Sequence, residues 1–181
     1  MPFPVSVPGV HSSTIILQFQ SSANAALAQG LANSFWNAIP KLNVENQPAG
    51  AAKAADLNEF TIGDMGGKQN SGPSQGTVPA GYLGVIDAFS AATPATVTGT
   101  SGSGETVLGQ GGLTYITNNP GGSNNIFDAS GGGNVFAATG GNWSVLFDGG
   151  NNFVLGNTGN LFVDDNTCLL YTSDAADDLT R

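Results

Sequence analysis

Cysteine, histidine, cations and charge in general are scarce in this chain of 181 residues. One cysteine, Cys168, cannot build a disulfide framework or a multi-cysteine metal site. Four Lys and Arg stand against 13 Asp and Glu, a formal net charge of −9. Phosphate-rich partners need clustered cations, so nucleic acid and anionic membrane surfaces are excluded as partners. No apolar run reaches the roughly 18 residues of a membrane-spanning helix, and no membrane insertion is expected. The start, Met1-Pro2-Phe3-Pro4, has neither a charged nor a long apolar segment, so no cleavable signal peptide is legible there. The single histidine, His11, lies in a Pro-rich lead-in and reads as a loop residue rather than a catalytic base. Disordered chains pair low hydrophobicity with high charge. This one is 40% hydrophobic and 9% charged, which points to a folded domain.

What the chain has instead is a period. Gly102, Gly121, Gly140 and Gly159 stand 19 residues apart, and Gly112, Gly131 and Gly150 keep the same step. So do Val97, Ile116, Val135 and Val154, then Val107, Ile126 and Val145, then Leu108, Phe127 and Leu146. A fixed period of this size is the mark of a solenoid, in which one supersecondary unit stacks on the next. Each unit holds two short β-branched or aromatic segments, such as Tyr115-Ile116-Thr117 and Asn125-Ile126-Phe127, too short for helices. Gly, Asn, Ser and Thr lie between them and suit sharp corners. The expectation is an all-β fold, a parallel β-solenoid with two short strands per 19-residue coil. The Val97 row and the Leu108/Phe127/Leu146 row become stacked core ladders, and Thr106/Asn125/Ser144 a polar ladder. Trp143 is expected on a partly exposed face, and Asn142-Trp143-Ser144 fits a glycosylation sequon.

The front of the chain does not repeat. Thr14–Phe19 reads as a strand, and Ser21 or Ser22 as the N-cap of a helix with Ala23, Leu27, Leu31, Phe35 and Ile39 on one stripe, ended by Pro40. That α+β unit is expected to cap the open end of the solenoid. The domain division is therefore 1–77 for the cap and a Gly/Ser/Pro linker, and 78–167 for the array.

Residues 168–181 break the pattern. The run Cys168-Leu169-Leu170-Tyr171-Thr172-Ser173-Asp174-Ala175-Ala176-Asp177 resembles the translation of a transposase adapter used in shotgun library preparation. The resemblance implies a foreign tail, a reading frame cut inside the array and a longer natural protein. Without the tail, three Lys (Lys41, Lys53, Lys68) remain against ten acids, a balance of −7, with no cysteine.

Gly102-Ser103-Gly104-Glu105-Thr106-Val107-Leu108 is similar to the glycine-rich nonapeptide of hemolysin-type (RTX) repeats, G-G-x-G-x-D-x-U-x. The resemblance implies a β-roll-like coil, calcium between turns, and a bacterial surface or secreted protein. The family's Asp position holds Thr106, then Asn125, then Ser144, which departs from the calcium pattern. Calcium takes about six to eight oxygens, with carboxylates among them. The weak metal candidates are Glu105, Asp128 and Asp148, which fall in no common 19-residue column: Asp128 aligns with Gly109 and Phe147, Asp148 with Ala129. No repeated calcium ladder is expected, and no other cofactor.

Catalysis finds no set of residues. A β-helix enzyme acting on polysaccharide would need paired acids or basic groups on one face, and residues 78–167 hold no Lys or Arg. An ice-binding threonine ladder fails because Thr96 and Thr98 give way to Tyr115 and Thr117, then Asn134 and Phe136. The expected function is a non-enzymatic structural or adhesive module of a longer extracellular or cell-surface protein. Its partner would be a surface ligand, or another copy through the open solenoid end. A calcium-binding RTX-type secreted protein is the alternative, and a polysaccharide-active β-helix the third reading.

Overall fold

The computed structural model describes residues 1–9, 14–38, 42–46, 60–64, 74–78, 82–87, 95–99, 105–117, 125–155, 159–165 and 172–173. An antiparallel hairpin comes first, β1 (Phe3–Pro8) and β2 (Thr14–Phe19), followed by the helix α1 (Ser22–Ala38). The strands after it alternate between two sheets. The seven-stranded sheet holds, in spatial order, β3 (Leu42–Asn46), β4 (Phe60–Asp64), β6 (Tyr82–Asp87), β8 (Thr106–Gly109), β10 (Asn125–Ala129), β12 (Trp143–Phe147) and β14 (Leu161–Asp165). The six-stranded sheet holds β5 (Ser74–Val78), β7 (Ala95–Gly99), β9 (Leu113–Thr117), β11 (Val135–Ala138), β13 (Phe153–Leu155) and β15 (Thr172–Ser173). All pairings within both sheets are parallel, as a β-solenoid requires. The stacking begins at Leu42, so β3, β4 and β5 are rungs that the spacing alone leaves outside the array.

The 19-residue period is an average. Along the six-stranded sheet the chain passes from Val97 to Tyr115, then Phe136, then Val154, in steps of 18, 21 and 18. Three steps of 19 reach the same Val154, which is why the ends of that row agree and its middle does not. In the other sheet Val107 stacks on Phe127 and then Val145, in steps of 20 and 18. Since alternate side chains point to opposite faces, an error of one residue turns a side chain from core to surface. Ile116 is thus 43% exposed while Tyr115 is fully buried. Val135 and Ile126 likewise face outward, and Phe136 and Phe127 fill the interior. The row Leu108/Phe127/Leu146 is not one ladder: Leu108, Asp128 and Leu146 share an outer column. Thr106 stacks on Ile126 and Ser144, not on Asn125, which closes a corner instead.

The interior between the sheets is aromatic. Tyr115, Phe127, Phe136, Trp143 and Phe147 pack with ring centroids 5.1–6.2 Å apart. Trp143, expected at a surface, is 2% exposed and central to this cluster. Gly99 makes room for the largest of these rings: a Cβ there would stand 3.2 Å from Tyr115 Cε2 and closer still to its hydroxyl.

Asparagines hold the corners. Asn134 Oδ1 accepts from the Leu113 amide (3.1 Å), and Asn152 Oδ1 accepts from the Asn134 amide (3.1 Å) and its Nδ2 (3.0 Å). A second series runs from the Glu105 amide to Asn125 Oδ1 (3.0 Å) and from the Asn160 amide to Asn142 Oδ1 (3.1 Å). These amides satisfy backbone groups that leave the ladder at each corner. Between them the glycine turns lie backbone on backbone. The Gly112 amide donates to the Gly132 carbonyl at 3.0 Å, and a Cβ on Gly131 would stand 3.0 Å from Gly111 Cα. Gly159 stacks on Gly141 rather than on Gly140. Gly102 and Gly121 lie outside the described residues, as does His11.

The hairpin and helix do not plug the open end. They lie along the outer face of the seven-stranded sheet, where Val5, Val7, Leu17, Phe19, Ala25, Ala28, Ala32 and Phe35 bury Ile86 and Leu108. The reason is the outer column Ile86–Leu108–Asp128–Leu146, whose three apolar members need cover. The helix stripe is also different. Positions 23, 27, 31, 35 and 39 drift around the helix by about 40° per step, since 3.6 residues make a turn. The buried positions are Asn24, Ala25, Ala28, Ala32 and Phe35, and Leu27 is exposed. Seventeen residues make α1 about 25 Å long, close to the roughly 24 Å of the five strand spacings between β12 and β3. The helix starts beside the end of β12, and Phe35 near its other end lies over Gly84 of β6. It therefore carries the chain back along the solenoid to the first rung.

Candidate functional site

The two outer faces differ, and the chemistry of the chain collects on them. On the seven-stranded sheet the strap (β1, β2 and α1) is held by Asp148. Its Oδ2 accepts from the amides of Gln20 (2.5 Å) and Ser21 (2.6 Å), at the N-terminus of α1. Ser21 is the N-cap, with Oγ accepting from the Ala23 and Asn24 amides at 3.2 and 3.4 Å. A carboxylate at this position meets the positive end of the helix dipole as well as its free amides. Asn24 Nδ2 donates to the Phe147 carbonyl at 3.5 Å. Within the strap, Gln29 pairs with both backbone groups of Ser6, and Trp36 Nε1 donates to the Ser6 carbonyl at 3.0 Å.

Asp128 lies in the same outer face, between Leu108 and Leu146, and is fully buried. Neither carboxyl oxygen has a hydrogen-bond partner. Burial, and then the charge of Asp148, push its pKa up to about 8. At neutral pH this carboxyl is held protonated. Glu105 points to the other side, into the interior, where it is the electrostatic neighbour of the Tyr115 hydroxyl. Burial and the Glu105 carboxylate hold the Tyr115 phenol well above its ordinary range.

Glu105, Asp128 and Asp148 therefore do not converge. Glu105 faces the core, Asp128 lies under the strap, and Asp148 anchors the helix. Among the described residues no three His, Cys, Asp or Glu come together as a metal set. The alignment of Asp128 with Gly109 and Phe147 is replaced by Leu108 and Leu146, which sequence spacing missed by one residue. An acid between two leucines, Leu108 and Leu146, is the signal that the correct step would have exposed.

The outer face of the six-stranded sheet has no cover among the described residues. One column runs Thr96, Thr114, Val135, Phe153, and the next Thr98, Ile116, Ala137, Leu155. Thr96 thus has Thr114 beside it rather than Tyr115, yet the threonines end after β9. None of these eight positions is charged, in a chain of net charge −9. Ile116, Phe153 and Leu155 are 43%, 40% and 40% exposed. The face grows more apolar from β7 to β13.

Comparison with known proteins finds no match to any protein family, curated protein or solved structure. Among the described residues, no helix is long and apolar enough to cross a membrane.

Proposed function

We propose that the chain is a non-enzymatic structural and adhesive module of a longer extracellular or cell-surface protein. Its coils act as a rigid spacer, and the outer face of the six-stranded sheet is its contact surface. The observation that carries this reading is the contrast between the two faces. The apolar column of the seven-stranded sheet is sealed by the chain's own strap. The uncharged columns of the other sheet leave Ile116, Phe153 and Leu155 in solvent. Contiguous exposed apolar surface on a soluble protein marks a contact site. Parallel coils suit such a role because each strand of the stack is hydrogen-bonded to its neighbours, which stiffens the face. Of the buried acids, Asp148 holds the start of α1, which supports a structural role for that carboxylate.

The test is retention on a methyl-terminated surface, read by quartz crystal microbalance against a hydroxyl-terminated one. Replacing Ile116, Phe153 and Leu155 by Lys together is expected to cut retention by about tenfold or more, as the loss of three exposed apolar side chains implies. The circular dichroism spectrum should not change, because all three side chains point away from the core. Equal retention of the triple variant would sink the assignment of this face.

A further inference from the structure

We propose that the N-terminal hairpin and helix form a releasable strap on the seven-stranded sheet, sealed by the neutral carboxyl of Asp128, so that ionisation of this one group detaches the strap and uncovers the Ile86–Leu108–Leu146 stripe.

Three observations carry it. Asp128 is fully buried and neither oxygen finds a donor, so an ionised form would be left without compensation. The strap offers no acid, Lys or Arg: residues 1–40 contain none, and the titratable groups of that segment are the Met1 amine and His11. The strands on either side, β8 and β12, contain no charged residue either. Among the described residues the acid that faces Asp128 is Asp148, one residue beyond β12 on the same outer face, and Asp64 of β4 stands beyond Ile86 in the same column. Glu105 points into the interior, and Asp164, beyond Leu146 in the same column, is exposed to solvent. The carboxyl titrates near pH 8, within reach of ordinary conditions.

The sign follows from which state holds the proton. The closed strap keeps Asp128 protonated, and the released strap lets it ionise at its ordinary, lower pKa. Raising the pH therefore favours release. Once the pH exceeds the closed-state pKa, both states are ionised and the bias stops growing. The strap's other holds include Asp148 at the helix N-terminus, the Asn24 hydrogen bond to the Phe147 carbonyl, and the apolar cluster that hairpin and helix form with Ile86 and Leu108.

The full chain with Cys168→Ser provides the test. A single cysteine is placed at Leu108→Cys or, as a second reporter, at Ile86→Cys. Val107→Cys on the same strand reports on the interior. Thiol labelling is measured from pH 5 to 9.5 and divided at each pH by the rate in denaturant. Protection at positions 108 and 86 is expected to fall about tenfold per pH unit between roughly pH 5 and 8, the slope of one proton. It should then level off, while Val107→Cys remains protected. Adding Asp128→Asn should abolish the slope. The proposal is overturned if the slope persists in Asp128→Asn, if protection is flat with pH in the parent, or if Val107→Cys is no better protected than positions 108 and 86 at each pH, which would mean global unfolding.

Discussion

At the scale of single residues, Asp128 is where the chain departs most from its own pattern. Leucine occupies the position before it and the position after it in the outer column; all three are buried, and the strap packs on Leu108. Its carboxyl sits near 8 because burial and Asp148 both oppose the charge. The folded state thus holds a proton that the unfolded chain releases above about pH 4, and stability falls as pH rises from about 4 to about 8. At pH 7 the penalty is on the order of 4 kcal/mol. Asp128→Leu, which continues the apolar column, is expected to recover most of it. Urea unfolding at pH 5 and pH 8 checks this: the variant should gain far more at pH 8 than at pH 5. A stabilisation equal at both would show that packing rather than charge is responsible. The Asn134 side chain makes a second residue-scale case. It accepts the Leu113 amide and donates to Asn152 inside a corner. Asn134→Ala strands that amide and should lower stability by about 1–3 kcal/mol, seen as a lower denaturation midpoint.

At the scale of elements, strands were legible and their register was not. The alternation of β-branched and aromatic residues with glycine corners locates β7 to β13 closely, because short β-branched and aromatic runs bounded by Gly and Asn favour strands closed by sharp turns. The facing of each strand depends on how many residues each corner takes, and the corners vary. The step from Thr114 to Val135 is 21 while the step from Val135 to Phe153 is 18. A side-chain period of two makes that variation decisive. Neighbouring substitutions distinguish the registers. Phe127→Ala empties a fully buried site and should cost about 3–5 kcal/mol, whereas Ile126→Ala, on the outer face, should cost well under half of that. Calorimetry on the two variants reads the difference directly, and equal losses would contradict the observed register. The helix carries the same lesson. A chain of apolar residues every fourth position looked like a stripe, but the buried positions are Asn24, Ala25, Ala28, Ala32 and Phe35.

At the scale of the whole molecule, the solenoid is a stack in which each coil contacts its neighbours, so protection should follow position in the stack. Hydrogen exchange is expected to be slowest in β8, β10 and β12, which have neighbours on both sides and the strap above them. It should be fastest in β14, where Phe162 is 61% exposed. Uniform protection across these strands would contradict the nearest-neighbour picture. The sequence by itself determined the class of fold: repeated short strands, glycine corners and a sustained alternation of two strand types lead to parallel coils. It also located the hairpin's second strand and the helix, and narrowed its N-cap to Ser21 or Ser22, since these follow from local pattern. Only the tertiary structure decided which side of each strand is the inside, that the helix lies along a sheet rather than across an end, and that Asp128 and Asp148 meet beneath it. The physical reason is that local pattern fixes a conformation, whereas register and cover depend on corner lengths that sum over whole coils. A single inserted residue leaves every strand in place and exchanges its two faces.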